Sequence, residues 1–475
     1  MKKHNLFKVV GISILVAVLL TWILPTTYYQ YELTSGARSQ VGLFDLLKFP
    51  SIILSYFGDI VFYILIIGGF YGILNKIGAY RSILDSIAKK AKGKEMIILA
   101  AIIFIITALT SVCGASFGIL MIVPFIVSLV LVMGYDKITA AMVTVGSIAI
   151  GLMGTTFGAT FIQDQYGSSK PIVTGTGVFN SILNTNATSL ILAKIIILIF
   201  GIALLVFWTL RHASKNHDSK KNVDSKLVPA VIDTKKKSWP LIVVLDLTFV
   251  IMLLAQTSWT SVFGVKIFNK ATEFLLTKVK PFGFPIIGKI LGNISEFEQW
   301  GLVEISALLV IASIIIALIY KIRFNDYIEN AFDGIKKAIK PAILVVLVYV
   351  VLIIGNSVVL TITSPLITAT KGLNAFTMSL AALITSIFNV DVYYIATPAL
   401  IYTSEVITSG HSVIAFIWQT MYGFAVLFAP TSVILVPILS YLDVSYGKWI
   451  KSNWLLILGM LGCSLIVSTV LVLTL

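Results

Sequence analysis

Apolar residues fall in blocks long enough to cross a bilayer, with short polar or basic stretches between them. About 20 residues make one spanning helix. The first block, Val9 to Leu24, follows Lys2, Lys3 and Lys8 and ends in bulky Trp22-Ile23-Leu24-Pro25. A signal peptide ends in small residues at its cleavage site, so this block predicts an uncleaved first helix. A half-polar stretch to Phe57 precedes the run Ile60 to Leu74. A basic amphipathic segment with Lys76, Arg81, Lys89, Lys90, Lys92 and Lys94 follows.

Met96 to Met133 is apolar except at Thr110-Ser111-Val112-Cys113-Gly114-Ala115-Ser116-Phe117-Gly118. Two spans or one re-entrant hairpin would both return the chain to the same side. The helix from Ile138 is interrupted at Gly151-Leu152-Met153-Gly154-Thr155-Thr156-Phe157-Gly158, and a polar loop, Gln163 to Thr188, leads to a span at Leu190 to Leu210. The Arg211 to Lys237 loop reads as solvated, His212 and His217 with it. Further spans are expected at Leu241 to Gln256 and Leu302 to Tyr320, with a cytoplasmic arm at Lys321 to Lys340 and a run at Ala342 to Ile354. The rest comprises a broken region, Phe376 to Ser409, a helix from Val413 interrupted at Ala429-Pro430-Thr431-Ser432, and a last span, Trp454 to Leu475.

Gly134 to Thr155 and Gly410 to Thr431 are both 21 residues, so aligning the glycines superposes the two helix breaks. This implies a duplicated hairpin plus broken helix. With the N-terminus inside, segments expected in the cytoplasm hold 25 of the 35 Lys and Arg, as the positive-inside bias requires. The two copies are then inverted, and a site is expected at their interface near mid-membrane. The units read as 1–57, an N-terminal helix and interfacial segment; 58–210, repeat 1, with a hairpin at about 95–134 and a broken helix at about 136–160; 211–240, a basic loop; 241–340, scaffold helices and arms; and 341–475, repeat 2, with a hairpin at about 374–410 and a broken helix at about 412–436.

Composition narrows the function. At 58% hydrophobic and 12% charged, the 475 residues exclude a water-soluble globule. The net charge of +14 follows from topology and does not argue for nucleic acid. Cys113 and Cys463 give no disulfide framework or metal spacing. No phosphate-binding glycine loop, zinc-protease motif or serine elbow occurs, so neither an ATP-driven pump nor an enzyme is expected.

An interrupted helix bares amide N–H groups that favour anions and carbonyls that hold cations, with hydroxyls as adaptable ligands. On that ground Ser111, Ser116, Thr155, Thr156, Asn389, Asp391, Thr431 and Ser432 are candidates for substrate binding. Gly114, Gly154, Asp391 and Ala429 are candidates for a coupling Na⁺ or H⁺; no other cofactor and no catalytic or metal-ligating residue is expected. Asp391 stands out, at a hairpin tip beside Asn389 and two tyrosines, where a carboxylate can pair a cation or take up a proton; its alternative is a solvated turn. Asp59 and Glu304 read as helix N-terminal residues, Glu405 as near the outer interface, Asp246 as buried against a partner or functional, and His411 as a surface residue.

Gly93-Lys94-Glu95, the Gly114 to Gly118 turn, Val123-Pro124-Phe125, Met133-Gly134-Tyr135-Asp136, Ala429-Pro430-Thr431-Ser432 and Val444-Ser445-Tyr446-Gly447-Lys448-Trp449 resemble the YfcC/DcuC-like carriers of the ion transporter superfamily. The resemblance implies an all-α polytopic membrane protein with the inverted-repeat fold of that superfamily, having two re-entrant hairpins and two broken helices. It further implies a homodimer with elevator-type alternating access, working as a secondary transporter of a small polar metabolite in a bacterial plasma membrane. Its members are described as basic amino acid antiporters or C4-dicarboxylate carriers. The resemblance together with Asp391 favours arginine–ornithine exchange here, with an Na⁺- or H⁺-coupled dicarboxylate carrier as the alternative.

Overall fold

The structure is a computed structural model. It describes residues 5–30, 32–114, 117–157, 160–162, 172–174, 177–217, 227–230, 237–260, 263–274, 278–279, 283–284, 288–289, 292, 294–369, 372–388 and 391–475. The protein is helical, and nine described helices are long and apolar enough to cross a membrane.

Two long helices form a pair: α2 (Leu43–Leu74) and α12 (Phe324–Asn356). Small residues let their backbones meet, as in close-packed membrane helices. A Cβ on Gly334 would lie 2.7 Å from Gly72 Cα, and one on Gly68 would lie 2.9 Å from the Gly334 carbonyl oxygen. The half-polar stretch before Ile60 is thus part of α2, which continues through Pro50 and kinks at Phe57 (φ −123°, ψ 20°). Asp59 follows that kink, its carboxylate within reach of the amides of Asp59 and Ile60. The arm Lys321 to Lys340 and the run after it are likewise one helix carried through Pro341. α1 (Asn5–Ile23) packs on α12 and α11 (Leu302–Ile319) on α2. Glu304 caps α11, accepting from the Gly301 amide at 2.9 Å.

The other group holds both candidate breaks. The amphipathic α3 (Gly78–Ala91) leads to α4 (Glu95–Cys113) and, through a turn and the 3₁₀ segment Gly118–Ile122, to α5 (Val123–Val132). α6 (Lys137–Met153), with a π segment at Met142–Gly146, ends at Gly154. No helical second half follows directly among the described residues; the chain pairs Thr160–Ile162 with Ile172–Thr174 and then forms α7 (Gly177–Ile182). α8 (Ile191–Asn216) runs back along α6, and α9 (Trp239–Gln256) and the short α10 (Ile267–Glu273) precede α11. After α12 come α13 (Val359–Thr368), absent from the sequence expectation, α14 (Ala375–Phe388), α15 (Val392–Val406), α16 (His411–Phe428), α17 (Leu435–Leu442) and α18 (Tyr446–Leu473).

The two histidines expected in solvent are docked. His212 lies in α8 and meets Asp136 at 3.2 Å; His217 meets the Met133 carbonyl at 3.2 Å. Part of the basic loop is docked too: the Leu227 carbonyl accepts from Ser128 at 2.8 Å, and the Pro229 carbonyl from Arg81 at 3.1 Å. Charge count alone does not reveal these carbonyl contacts. His411 is satisfied locally at the Ile407 carbonyl, and Glu405 is exposed near the end of α15.

Candidate functional site

α4 ends because Gly114 turns left-handed (φ 65°) and returns its amide to the Thr110 carbonyl. Two residues before α4 ends at Cys113, Ser111 faces the end of α6. Its hydroxyl donates to the Gly154 carbonyl at 2.9 Å, while its own carbonyl accepts from the Thr156 amide at 3.0 Å and the Thr156 hydroxyl at 3.3 Å. The tip of the first hairpin is thereby tied to the first break. Ser111, Thr156 and Gly154, expected as ligands, here satisfy one another. Thr155 turns its hydroxyl back on the Gly151 and Leu152 carbonyls at 3.2 and 3.0 Å.

The second half makes a related contact through a different residue, for Thr431 stands at the position of Thr155, not of Thr156. The Thr431 hydroxyl donates to the Ile387 carbonyl at 2.5 Å. Ser111 and Ile387, Gly134 and Gly410, and Thr155 and Thr431 are each 276 positions apart, and both glycines are left-handed, at φ 89° and 73°. Ser432 caps α17 by accepting from the Leu435 amide at 3.0 Å. Ala429 closes α16, its amide donating to Ala425 at 2.7 Å.

α6 and α16 cross at Gly423, where an added Cβ would stand 2.7 Å from Leu152 C. At this crossing α16 occupies the carbonyls that the first break leaves free. The Gln419 amide donates to the Thr155 carbonyl at 3.0 Å and the Thr420 hydroxyl to that of Met153 at 3.2 Å. Sequence reasoning missed Gln419; the signal was an amide within an otherwise apolar helix.

Asp391 is half-buried rather than in a solvated turn. It accepts from the Tyr349 hydroxyl at 3.0 Å, and Tyr349 stacks on Phe57 with ring centroids 4.1 Å apart. Tyr422 of α16 is within electrostatic reach of the same carboxylate. Asp391 thus bridges the second hairpin to the α2–α12 pair. Ser116 and Asn389 lie outside the described residues. Asp246 is exposed on α9, where it lines a cavity of about 560 Å³, mostly apolar, with Lys90, Ser82 and Tyr80.

One buried charge went unnoticed in the sequence. Lys194, alone among charged residues in the run Leu190 to Leu210, is 2% exposed. Its carbonyl lies 2.8 Å from where Gly154 would carry a Cβ, and its ammonium donates to the Ala187 carbonyl at 2.5 Å. A charged residue in a membrane helix costs about 2.5–3.5 kcal/mol and commonly has a function, which was the available signal.

At the other end of α6, Asp136 caps the helix, accepting from the Thr139 amide at 2.9 Å. Burial acts to raise its pKa, but the bonds from His212 and Thr139 prevail and hold it below the ordinary 3.8.

Residues 5–475 match the C4-dicarboxylate anaerobic carrier family, DcuC. The chain belongs to that family. With nine described helices able to cross a membrane, it is a multi-pass membrane protein of a carrier family. Among relatives of this chain, an uncharacterized protein of Haemophilus influenzae is 31% identical over 100 residues, covering 21% of this chain and 19% of that protein's own length. Two solved structures are similar in outline. The YdaH transporter of Alcanivorax borkumensis is 12% identical, with a TM-score of 0.42 over 98% of this chain and 97% of its own. MtrF of Neisseria gonorrhoeae, from a class described as antimetabolite efflux pumps, is 11% identical, with a TM-score of 0.34 over 99% and 95%.

Proposed function

We propose that the protein is a secondary carrier of a C4-dicarboxylate such as succinate, coupled to Na⁺ or H⁺. The observation that carries this reading is the match to a dicarboxylate carrier family over residues 5–475, which includes both hairpins and both breaks. The charges support it against arginine–ornithine exchange. Tyr349 already takes one Asp391 oxygen, and the buried charge beside the first break is a cation.

In this reading the substrate binds where hairpin tips meet helix breaks. The helical stretch Gly118–Val132, short of the about 20 residues that a full span needs, suits a re-entrant hairpin. The two repeats are inverted, and the group around α6 and α16 moves as an elevator against α2 and α12. A cavity of about 80 Å³ separates these parts at Tyr71, Asn75, Leu120, Lys337, Pro437 and Tyr441. The carrier works as a homodimer in a bacterial plasma membrane, with its N-terminus in the cytoplasm, where α3 and the basic loop also lie.

The test is uptake by the full-length protein in proteoliposomes. Labelled succinate, with and without an inward Na⁺ or proton gradient, is run beside labelled arginine into ornithine-loaded vesicles. Gradient-dependent succinate uptake is expected. Arginine uptake that needs internal ornithine would replace this reading with amino-acid exchange.

A further inference from the structure

α8 lies antiparallel along α6 by one continuous face. His212 meets Asp136 at the start of α6, Leu205 packs at Gly146, Gly201 at Ile150, and Leu198 with the Lys194 carbonyl at Gly154. Lys194 therefore marks the level at which α6 stops. Side chains on a helix lean toward its N-terminus, so the ammonium reaches past that level to the Ala187 carbonyl.

An ammonium has three donors and a full charge, and burial demands that both be answered. Ala187 answers one donor. No carboxylate among the described residues pairs with Lys194. The Met153 and Thr155 carbonyls of the break are spent on Thr420 and Gln419. The end of α6 offers only a partial negative charge. What would complete this site is an anion with two acceptor oxygens.

We infer that Lys194 is the counter-charge that receives one carboxylate of the transported dianion beside the first break. The inference rests on the dicarboxylate reading above. A loop tether alone would need a donor for Ala187 but no charge, and that difference separates the two roles.

The experiment measures labelled succinate uptake by full-length variants in proteoliposomes, with melting temperature in detergent as a second readout. Lys194→Gln keeps a donor for the Ala187 carbonyl and loses the charge; Lys194→Arg keeps the charge. Lys194→Met is a second neutral variant should the glutamine variant fail to fold. The neutral variants should raise KM for succinate at least tenfold with Vmax within twofold of wild type, and should lose the melting shift that succinate gives. The arginine variant should stay within threefold in KM. An unchanged KM in a folded neutral variant, whether or not its unliganded melting temperature falls, would overturn the assignment and leave the carrier reading standing. Wild-type protein that moves no succinate, fumarate or malate would overturn both.

Discussion

Single hydroxyls hold hairpin tips to breaks. Ser111→Ala strands the buried Gly154 carbonyl, and leaving such a group unpaired costs about 1–3 kcal/mol. We expect this variant to insert normally yet lose roughly tenfold or more in succinate uptake. Tyr349→Phe removes one partner of Asp391; Tyr349→Phe and Asp391→Asn are expected to be non-additive in an uptake-based double-mutant cycle, and additive losses would show that the two act separately. Asp136 gives a pH signature. Its pKa is lower in the folded protein than the ordinary 3.8, so its stabilisation is full above that value and is lost as pH falls through the folded one. Asp136→Asn should thus melt below wild type at pH 7, with the gap closing below about pH 3.8. These residues were unevenly legible. Ser111, Thr156 and Thr431 stood out because hydroxyls cluster at helix breaks, but they were expected to hold substrate, whereas each donates to a backbone carbonyl of the fold. Lys194 was passed over inside an apolar run, and the pairing of Asp136 with His212 joins residues 76 positions apart, beyond any local pattern.

At the scale of elements, glycine decides which helices touch. Gly334→Val should leave little folded protein on size-exclusion chromatography, because its Cβ would strike the backbone of α2. Gly447→Ala, with nothing within 4 Å, should be neutral in the same assay. The spans and the breaks at 154–156 and 429–432 were readable from hydropathy and small residues. The continuity of α12 through Pro341 was not, because proline ordinarily ends or kinks a helix and only the packing of α12 on α2 shows why this one persists. α13 escaped because Thr361, Thr363 and Ser364 interrupt its apolar pattern, although Thr361 in fact bonds the Pro25 carbonyl at 2.7 Å.

For the whole molecule, the crossing at Gly423 makes the two breaks parts of one body, while Asp391 and Tyr349 join that body to the paired helices. If the two move past each other, filling the cavity between them should obstruct the stroke more than binding. Val123→Phe is expected to lower Vmax for succinate severalfold with little change in KM; a rise in KM alone would speak against relative motion there. The paired helices also reach beyond the membrane. With 32 and 33 residues they are about 48 and 50 Å long, more than a hydrocarbon core of about 30 Å, and the excess in α12 is its charged first half. The contact of Gly68 and Gly72 with Gly334 ties the two helices together in that charged half. Part of the seam that holds the pair thus lies in helix too polar for the apolar layer, at the headgroups or beyond them.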